Sequence, residues 1–222
     1  MKPQSVFFAG RSTACIALAL PLLFAARLSA AGGPEALTTN TGFEDHLTGW
    51  KTAVSNDSKD KNCSAAISSD HPHQGFYCMR LETGDYGRVS VSANLQPVQP
   101  KDRYRVTAWM RAETGVPVRE GEPGFLIRVT LFQNGKDAPS GHILIDAESR
   151  VYRGNSPRGA GRNDLPSAWK KIEAVIEIPE DATHASLNAF NWNAKGAVFV
   201  DDIMAVKVPP QTPLTGPANP RP

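Results

Sequence analysis

Cysteine, long apolar runs and an excess of charge of either sign are all scarce in this chain. Only three of the 222 residues are cysteine, too few for a disulfide-built scaffold. Cys15, Cys63 and Cys78 also lack the close spacing of a tetrahedral zinc site. The one marked apolar stretch, Thr13 to Ala26, is shorter than the roughly 20 residues of a spanning helix, and Arg27 interrupts its far end. Twenty-four basic residues stand against 22 acidic ones, so nothing in the overall balance calls for nucleic acid as a partner. No Gly-x-Ser-x-Gly elbow and no phosphate-cradling glycine loop occurs, which argues against the common serine hydrolase and nucleotide-binding chemistries.

What is present begins with an export signal. Lys2 and Arg11 form a basic start, the apolar stretch follows, and Leu28-Ser29-Ala30 or Ser29-Ala30-Ala31 offers small residues for cleavage. Residues 1–31 are therefore read as a signal peptide, and the protein as secreted, periplasmic or cell-surface, with no membrane span after cleavage. Loss of Lys2, Arg11 and Arg27 from the 24 basic residues leaves 21 against 22 acidic ones. Cys63 and Cys78 remain, and an even count in an exported chain predicts a disulfide between them. Such a bridge is worth about 3 kcal/mol in the chain-entropy picture. Asn56-Asp57-Ser58 and Asn62-Cys63-Ser64 match the glycosylation sequon.

The rest reads as short strands between turn clusters. Tyr104, Val106, Ala108 and Met110 alternate with Arg105, Thr107 and Trp109, while Phe125, Ile127, Val129 and Leu131 alternate with Leu126, Arg128, Thr130 and Phe132. Ile172, Ala174, Ile176 and Ile178 form a third apolar file, stopped by Pro179. Further strand candidates are 64–67, 79–82, 88–95, 142–147, 185–190 and 197–208, and Asn134-Gly135 is a hairpin-turn signal. About nine strands without a convincing long helix predict an all-β sandwich. Residues 32–208 make one domain of the usual size, and the Pro-rich stretch 209–222, without an apolar period, is expected to be a disordered tail.

Several segments, in order, carry a family likeness. Asn40-Thr41-Gly42-Phe43-Glu44 with Gly49-Trp50 opens the domain, Gly75-Phe76-Tyr77-Cys78-Met79-Arg80-Leu81 sets a glycine ahead of a strand, and Tyr104 to Ala112 alternates aromatic, small and basic residues. Trp169-Lys170-Lys171 leads a strand ending in Pro179, and Val198 to Ile203 closes with Asp201-Asp202. This set resembles the secreted carbohydrate-binding modules of the xylan- and cellulose-binding type, whose fold is a galactose-binding-like jelly-roll sandwich. The resemblance implies a polysaccharide or oligosaccharide partner, a monomer without catalysis, and structural calcium held by Glu44 and Asp201. It does not extend to residues 133–168, where an insertion carries Arg150, Arg153, Arg158 and Arg162 without an intervening acid. Those arginines suit an acidic polysaccharide, although such a loop is more often only solvated.

A sugar site needs aromatic rings for the C–H faces of the sugar and polar side chains for its hydroxyls. The strand faces opposite the core files offer Trp109, Arg111, Arg128, Phe132, Asn188, Phe190 and Trp192 as ligand-binding residues, which cluster if their strands neighbour one another in one sheet. For Trp109, cover by a loop is an equal alternative. Trp50 and Trp169 are expected to pack rather than bind; Tyr86 and Tyr152 lie in loops and are read equally as rim residues of the site or as ordinary surface tyrosines. Two other functions use the same scaffold. A jelly-roll polysaccharide lyase would draw on His142, Tyr152, Arg128 and Asn188 as proton acceptor and charge neutraliser. A cell-surface protein-interaction domain would need none of them.

Overall fold

The computed structural model describes residues 35–55, 62–154 and 165–216. The expected signal peptide, Arg158 and Arg162 of the insertion, and residues 217–222 of the expected tail lie outside these. Twelve strands succeed one another: β1 (Trp50–Val54), β2 (Ser64–Ser68), β3 (Cys78–Thr83), β4 (Arg88–Ala93), β5 (Gln96–Pro97), β6 (Arg103–Ala112), β7 (Gly124–Gln133), β8 (Lys136–Asp146), β9 (Val151–Arg153), β10 (Lys170–Glu177), β11 (His184–Trp192) and β12 (Gly196–Val208). They form two antiparallel sheets. The larger runs β1-β4-β11-β7-β8-β9, with β5 also on β11, and the smaller runs β10-β6-β12-β3-β2. The described residues contain no helix, hence none long and apolar enough to cross a membrane.

The period-two pattern is what stacks the sheets. Tyr104, Val106, Ala108 and Met110 of β6 meet Phe125, Ile127, Val129 and Leu131 of β7 in one buried cluster. Ile172, Ala174 and Ile176 of β10 and Ala185, Leu187 and Ala189 of β11 complete it. Each large side chain so buried contributes about 2 kcal/mol of transfer free energy. Asn134 and Gly135 turn β7 into β8 with positive φ at both positions, 52° and 76°, the backbone a two-residue hairpin requires. β5 and β9 were not legible, since two and three residues are too short to show a period.

The two ends of the domain pair side by side. Leu37 N–H donates to Ala205 O at 2.9 Å, and Ile203 N–H donates to Thr41 O at 3.0 Å. Trp50 packs at 5.2 Å on Phe43 and gives its indole N–H to Asn40 O at 3.0 Å, which makes it a packing residue. Beyond β12 the chain keeps defined contacts as far as Gly216, in place of the disorder expected from Pro209 onward. Thr215 N–H donates to Val175 O at 3.0 Å, Thr215 Oγ1 accepts from Val175 N–H at 2.9 Å, and Arg103 donates to Thr212 O at 2.8 Å. Residues 209–216 thus run beside β10.

The expected disulfide is not formed. β2 and β3 pair with Ser68 opposite Cys78 and Ser64 opposite Glu82, so Cys63 lies at the other end of the hairpin. Five residues of strand separate the two levels, about 17 Å at the usual rise, whereas bridged cysteines need Cα atoms within about 7 Å. The even count named a pair that the register keeps apart. Burial, with Asp201 adding to it, pushes the Cys78 thiol up to about 12, so it stays protonated and unreactive. Non-reducing proteolysis of air-exposed protein is therefore expected to release the Cys63 and Cys78 peptides unlinked. A linked pair in the mass spectrum would contradict the register.

Candidate functional site

The side chains left over after the core is filled point outward from two opposite faces. On the larger sheet they stand in ranks set by strand register. Arg88 is opposite Trp192, Ser90 is opposite Phe190, and Ser92 is opposite Asn188. On the other flank of β11, Phe190 faces Leu126 and Asn188 faces Arg128. β8 adds Asp146 beside Leu126, Leu144 beside Arg128 and His142 beside Thr130, and β9 adds Tyr152 beside Leu144.

This face has an apolar floor of its own. Leu126, Leu144 and Phe190 form a cluster separate from the main core, with Tyr152 and Trp192 packed against it. Phe190 and Trp192 meet edge to face at 5.5 Å. Each ring carries a guanidinium: Arg128 lies 4.5 Å from the Phe190 centroid and Arg88 4.3 Å from that of Trp192. The Trp192 indole N–H donates to Glu122 at 2.9 Å. Asp146 accepts from Tyr152 OH at 3.0 Å and pairs with Arg150 at 2.6 Å. A ring edge, a second ring and outward N–H donors are the groups a pyranose needs.

Asn188 shares the face but is spent. Only 5% exposed, it donates to Arg128 O, Thr130 Oγ1 and Ser186 O and accepts from Ser92 Oγ, so it tethers strands. Phe132 stands opposite His184, six residues along β11 from Phe190, or about 20 Å at the usual rise.

Trp109 and Arg111 are on the other sheet, and the single cluster expected of the seven residues is thereby divided. β6 pairs with β10 and β12, never with β7 or β11. Alternation reveals which residues leave the core but not which sheet their strand joins. There Trp109 stacks at 3.9 Å on His73, whose edge meets Trp169 and whose Nδ1 lies 2.8 Å from Asp202. Arg111 sits 4.0 Å over Phe199 and donates to Asp70 O at 3.0 Å. Both side chains hold down the loop 70–77, the covered alternative for Trp109. Trp169, its indole N–H bonded to His71 O at 3.1 Å, packs as expected. A cavity of about 410 Å³ opens beside Trp109, where Glu173 is already paired with Lys171 at 2.5 Å and Arg105 at 3.5 Å.

The two carboxylates expected to hold calcium anchor the same loop. Glu44 accepts from Phe76 N–H at 3.0 Å and Tyr77 N–H at 3.2 Å, an approach that leaves no room for a side chain on Gly75, where a Cβ would lie 2.2 Å from Glu44 Oε1. Asp201 accepts from His73 N–H at 2.9 Å and Asp202 N–H at 2.8 Å. Its Oδ1 and that of Asp202 lie 3.6 and 3.3 Å from where a Cβ on Gly42 would stand, so three acids surround one glycine. Oxygen donors of this kind suit a hard cation. No set of three or more His, Cys, Asp or Glu side chains arranged to hold a metal is found among the described residues.

Comparison with known proteins follows the same line. The carbohydrate binding domain family profile matches residues 35–196, most of the chain, and the chain belongs to that family. No curated protein matches it. Among solved structures, a family 16 carbohydrate binding module superposes with a TM-score of 0.51 at 16% identity, over 77% of this chain and 99% of that one. The CBM22-1 xylan-binding domain of Paenibacillus barcinonensis Xyn10C gives 0.50 at 14%, over 81% and 98%. The enzymatically active domain of tailspike protein 4 from bacteriophage CBA120 gives 0.55 at 10%, over 78% of this chain but 22% of that one. This chain spans about a fifth of that protein, and identities so low speak for a shared fold alone. The galactose-binding-like sandwich read from the sequence is thus the fold of a carbohydrate-binding module.

Of the residues on the larger sheet's face, Arg88 escaped the sequence reading. Its signal was the outward position of a recognised strand, but the pairing of β4 with β11 that sets it over Trp192 leaves no local trace. Asp201 carries the clearest electrostatic consequence. Fully buried, its carboxyl is pushed up to about 6 by desolvation, with Asp202 adding to it against the backbone N–H bonds. A carboxyl raised on folding binds its proton more tightly in the native state, so stability falls as pH rises from about 4 through about 6. The full difference is about 3 kcal/mol. Urea titrations in chelator at pH 5 and pH 7.5 should show the protein more stable at the lower pH, and Asp201→Asn should flatten that contrast. An unchanged contrast in the variant would assign it elsewhere.

Proposed function

We propose that this protein is a secreted, monomeric, non-catalytic carbohydrate-binding module that takes a polysaccharide on the outer face of its larger sheet. The observation that carries the reading is the Phe190/Trp192 pair with Arg128 and Arg88 over its rings. Buried Phe190 floors the site, half-buried Trp192 offers an apolar surface for a sugar face, and the guanidinium N–H groups offer donors for its hydroxyls. The family to which the chain belongs supports the ligand class. Arg128, Phe190 and Trp192 are the contact residues in this reading, with Arg88 added and Tyr152 at the rim. Trp109 and Arg111 serve the loop.

Affinity electrophoresis on a panel of soluble polysaccharides tests this assignment. Trp192→Ala is expected to weaken retention about tenfold, the equivalent of one lost ring contact of about 1.4 kcal/mol. Trp109→Ala is expected to keep retention while lowering the melting temperature, because His73 loses its stacking partner. The reverse pattern would move the site to the smaller sheet.

A lyase is the second reading, because the structure brings His142, Tyr152, Arg128 and Asn188 to one face. Burial, with Arg128 beside it, holds the His142 imidazole below its ordinary range and so leaves it neutral and able to accept a proton. Tyr152 is turned to Asp146, and Asn188 has no remaining donor for substrate, which favours binding over cleavage. Absorbance in the unsaturated-uronate band separates the two: a sustained rise with a uronic acid polymer establishes a lyase.

Calcium belongs to the same proposal as a structural ion. It would take lone pairs of Glu44 and Asp201 beside Gly42 and fasten the loop 70–77 to the strand ends. Thermal melts with chelator are expected to show a lower midpoint, restored by calcium in the wild type and not in Glu44→Ala. Identical midpoints with and without chelator would remove the ion from the account.

A further inference from the structure

The larger sheet's outer face carries a cation that has no ion-pair partner among the described residues. Arg128 forms no ion pair with any described residue, and its Nε is buried without a hydrogen-bond partner. Burial lowers its pKa, and Asp137, exposed near the start of β8, is the one opposing charge among the described residues that bears on it. His142, beside it, likewise has a buried Nδ1 with no partner. A desolvated guanidinium in this state is costly unless an anion arrives.

Two other carboxylates near this face, Asp146 and Glu122, are already committed to other donors. Asp146 is held by Arg150, by Tyr152 and by the N–H groups of Glu148 and Arg150. Glu122 is held by the Trp192 indole. Neither lies against Arg128. Arg88 supplies a second guanidinium on the same face, stacked on the neighbouring ring, and Lys51 stands opposite Ser92 on the outermost strand, exposed. With 24 basic residues against 22 acidic ones in the chain, this concentration of cations is local and not a reflection of overall charge.

We propose that the face selects an anionic glycan, a polymer whose sugars bear carboxylate or sulfate, with the anion on the Arg128 guanidinium and the sugar ring against Trp192. The inference rests on the carbohydrate-binding reading above and narrows its ligand. A neutral sugar hydroxyl can accept one N–H, but only an anion offers two acceptor oxygens to the guanidinium fork and cancels its charge. Stacking over Phe190 fixes the plane of that fork and leaves its edge for the ligand. The anion and the ring it belongs to are thus read by adjacent side chains.

The test uses the whole protein and five polymers: xylan and mixed-linkage β-glucan as neutral glycans, polygalacturonate and alginate as carboxylated ones, and chondroitin sulfate for the sulfate arm. Retention is expected on at least one anionic polymer and to weaken steeply between about 50 mM and about 500 mM salt. Carboxyl reduction of a retained uronate polymer should abolish it. Arg128→Met, which keeps the stem over Phe190, is expected to lose roughly tenfold in affinity for the anionic polymer while its melting temperature stays at or above that of the wild type. The carboxylate and sulfate arms tell which anion is preferred. Equal or stronger retention of the neutral polymers, or undiminished binding of the carboxyl-reduced one, would overturn the anionic selection and leave the carbohydrate reading standing. Retention of none of the five would overturn the carbohydrate face itself. The polymer comparisons need no variant, so a misfolded Arg128→Met would not shield the inference.

Discussion

Strict alternation along the two ten-residue strands β6 and β7 is the constraint from which the rest follows. A strand that buries every second side chain must send the others the opposite way, so two such strands that meet across the core from different sheets send their remaining side chains out on opposite faces. Tyr104 to Met110 and Phe125 to Leu131 do this, meeting across the sandwich. Their outward neighbours are then as far apart as the molecule allows. Trp109 and Arg128 belong to strands that cooperate in packing and are, for that reason, unable to cooperate in binding.

The two faces have been put to different uses. On the smaller sheet, outward aromatics are covered: His73 lies on Trp109, Trp169 reaches His71, and Arg111 grips Asp70. Loop 70–77 is sewn down by rings and by the Glu44 and Asp201 carboxylates, which act on its backbone N–H groups. On the larger sheet arginine side chains lie over the rings, the groups that the proposed sugar site would use for recognition. Burial on the smaller sheet serves structure; on the larger sheet it would serve the proposed site as pre-organisation, since an arginine fixed on a ring loses little freedom when it takes a ligand.

Much of the fold was legible because it depends on local pattern. The apolar files of β6, β7 and β10 and the Asn134-Gly135 turn are readable from residue spacing, and the opening and closing segments at 40–50 and 198–203 from family likeness. The site was legible in part. Arg128, Phe190 and Trp192 were picked out by alternation and do meet, yet alternation could not place Trp109 and Arg111 in the opposite sheet. The cysteine pairing failed for a related reason: the count is a property of composition, whereas the distance between Cys63 and Cys78 is a property of register. Arg88 depends on the pairing of β4 with β11, a contact nearly a hundred residues apart in sequence, and no local signal carries it.

The segment beside β10 has a bearing on association. A sheet's last strand presents an unpaired row of backbone donors and acceptors, the surface on which another chain can add itself. Thr215 occupies both groups of Val175, and Arg103 holds Thr212 in line. Proline at positions 209, 210 and 213 removes three N–H donors from the covering segment, so it can shield the edge without becoming a fresh strand that offers a full edge of its own. The composition that looks like a loose tail is what allows it to end the sheet.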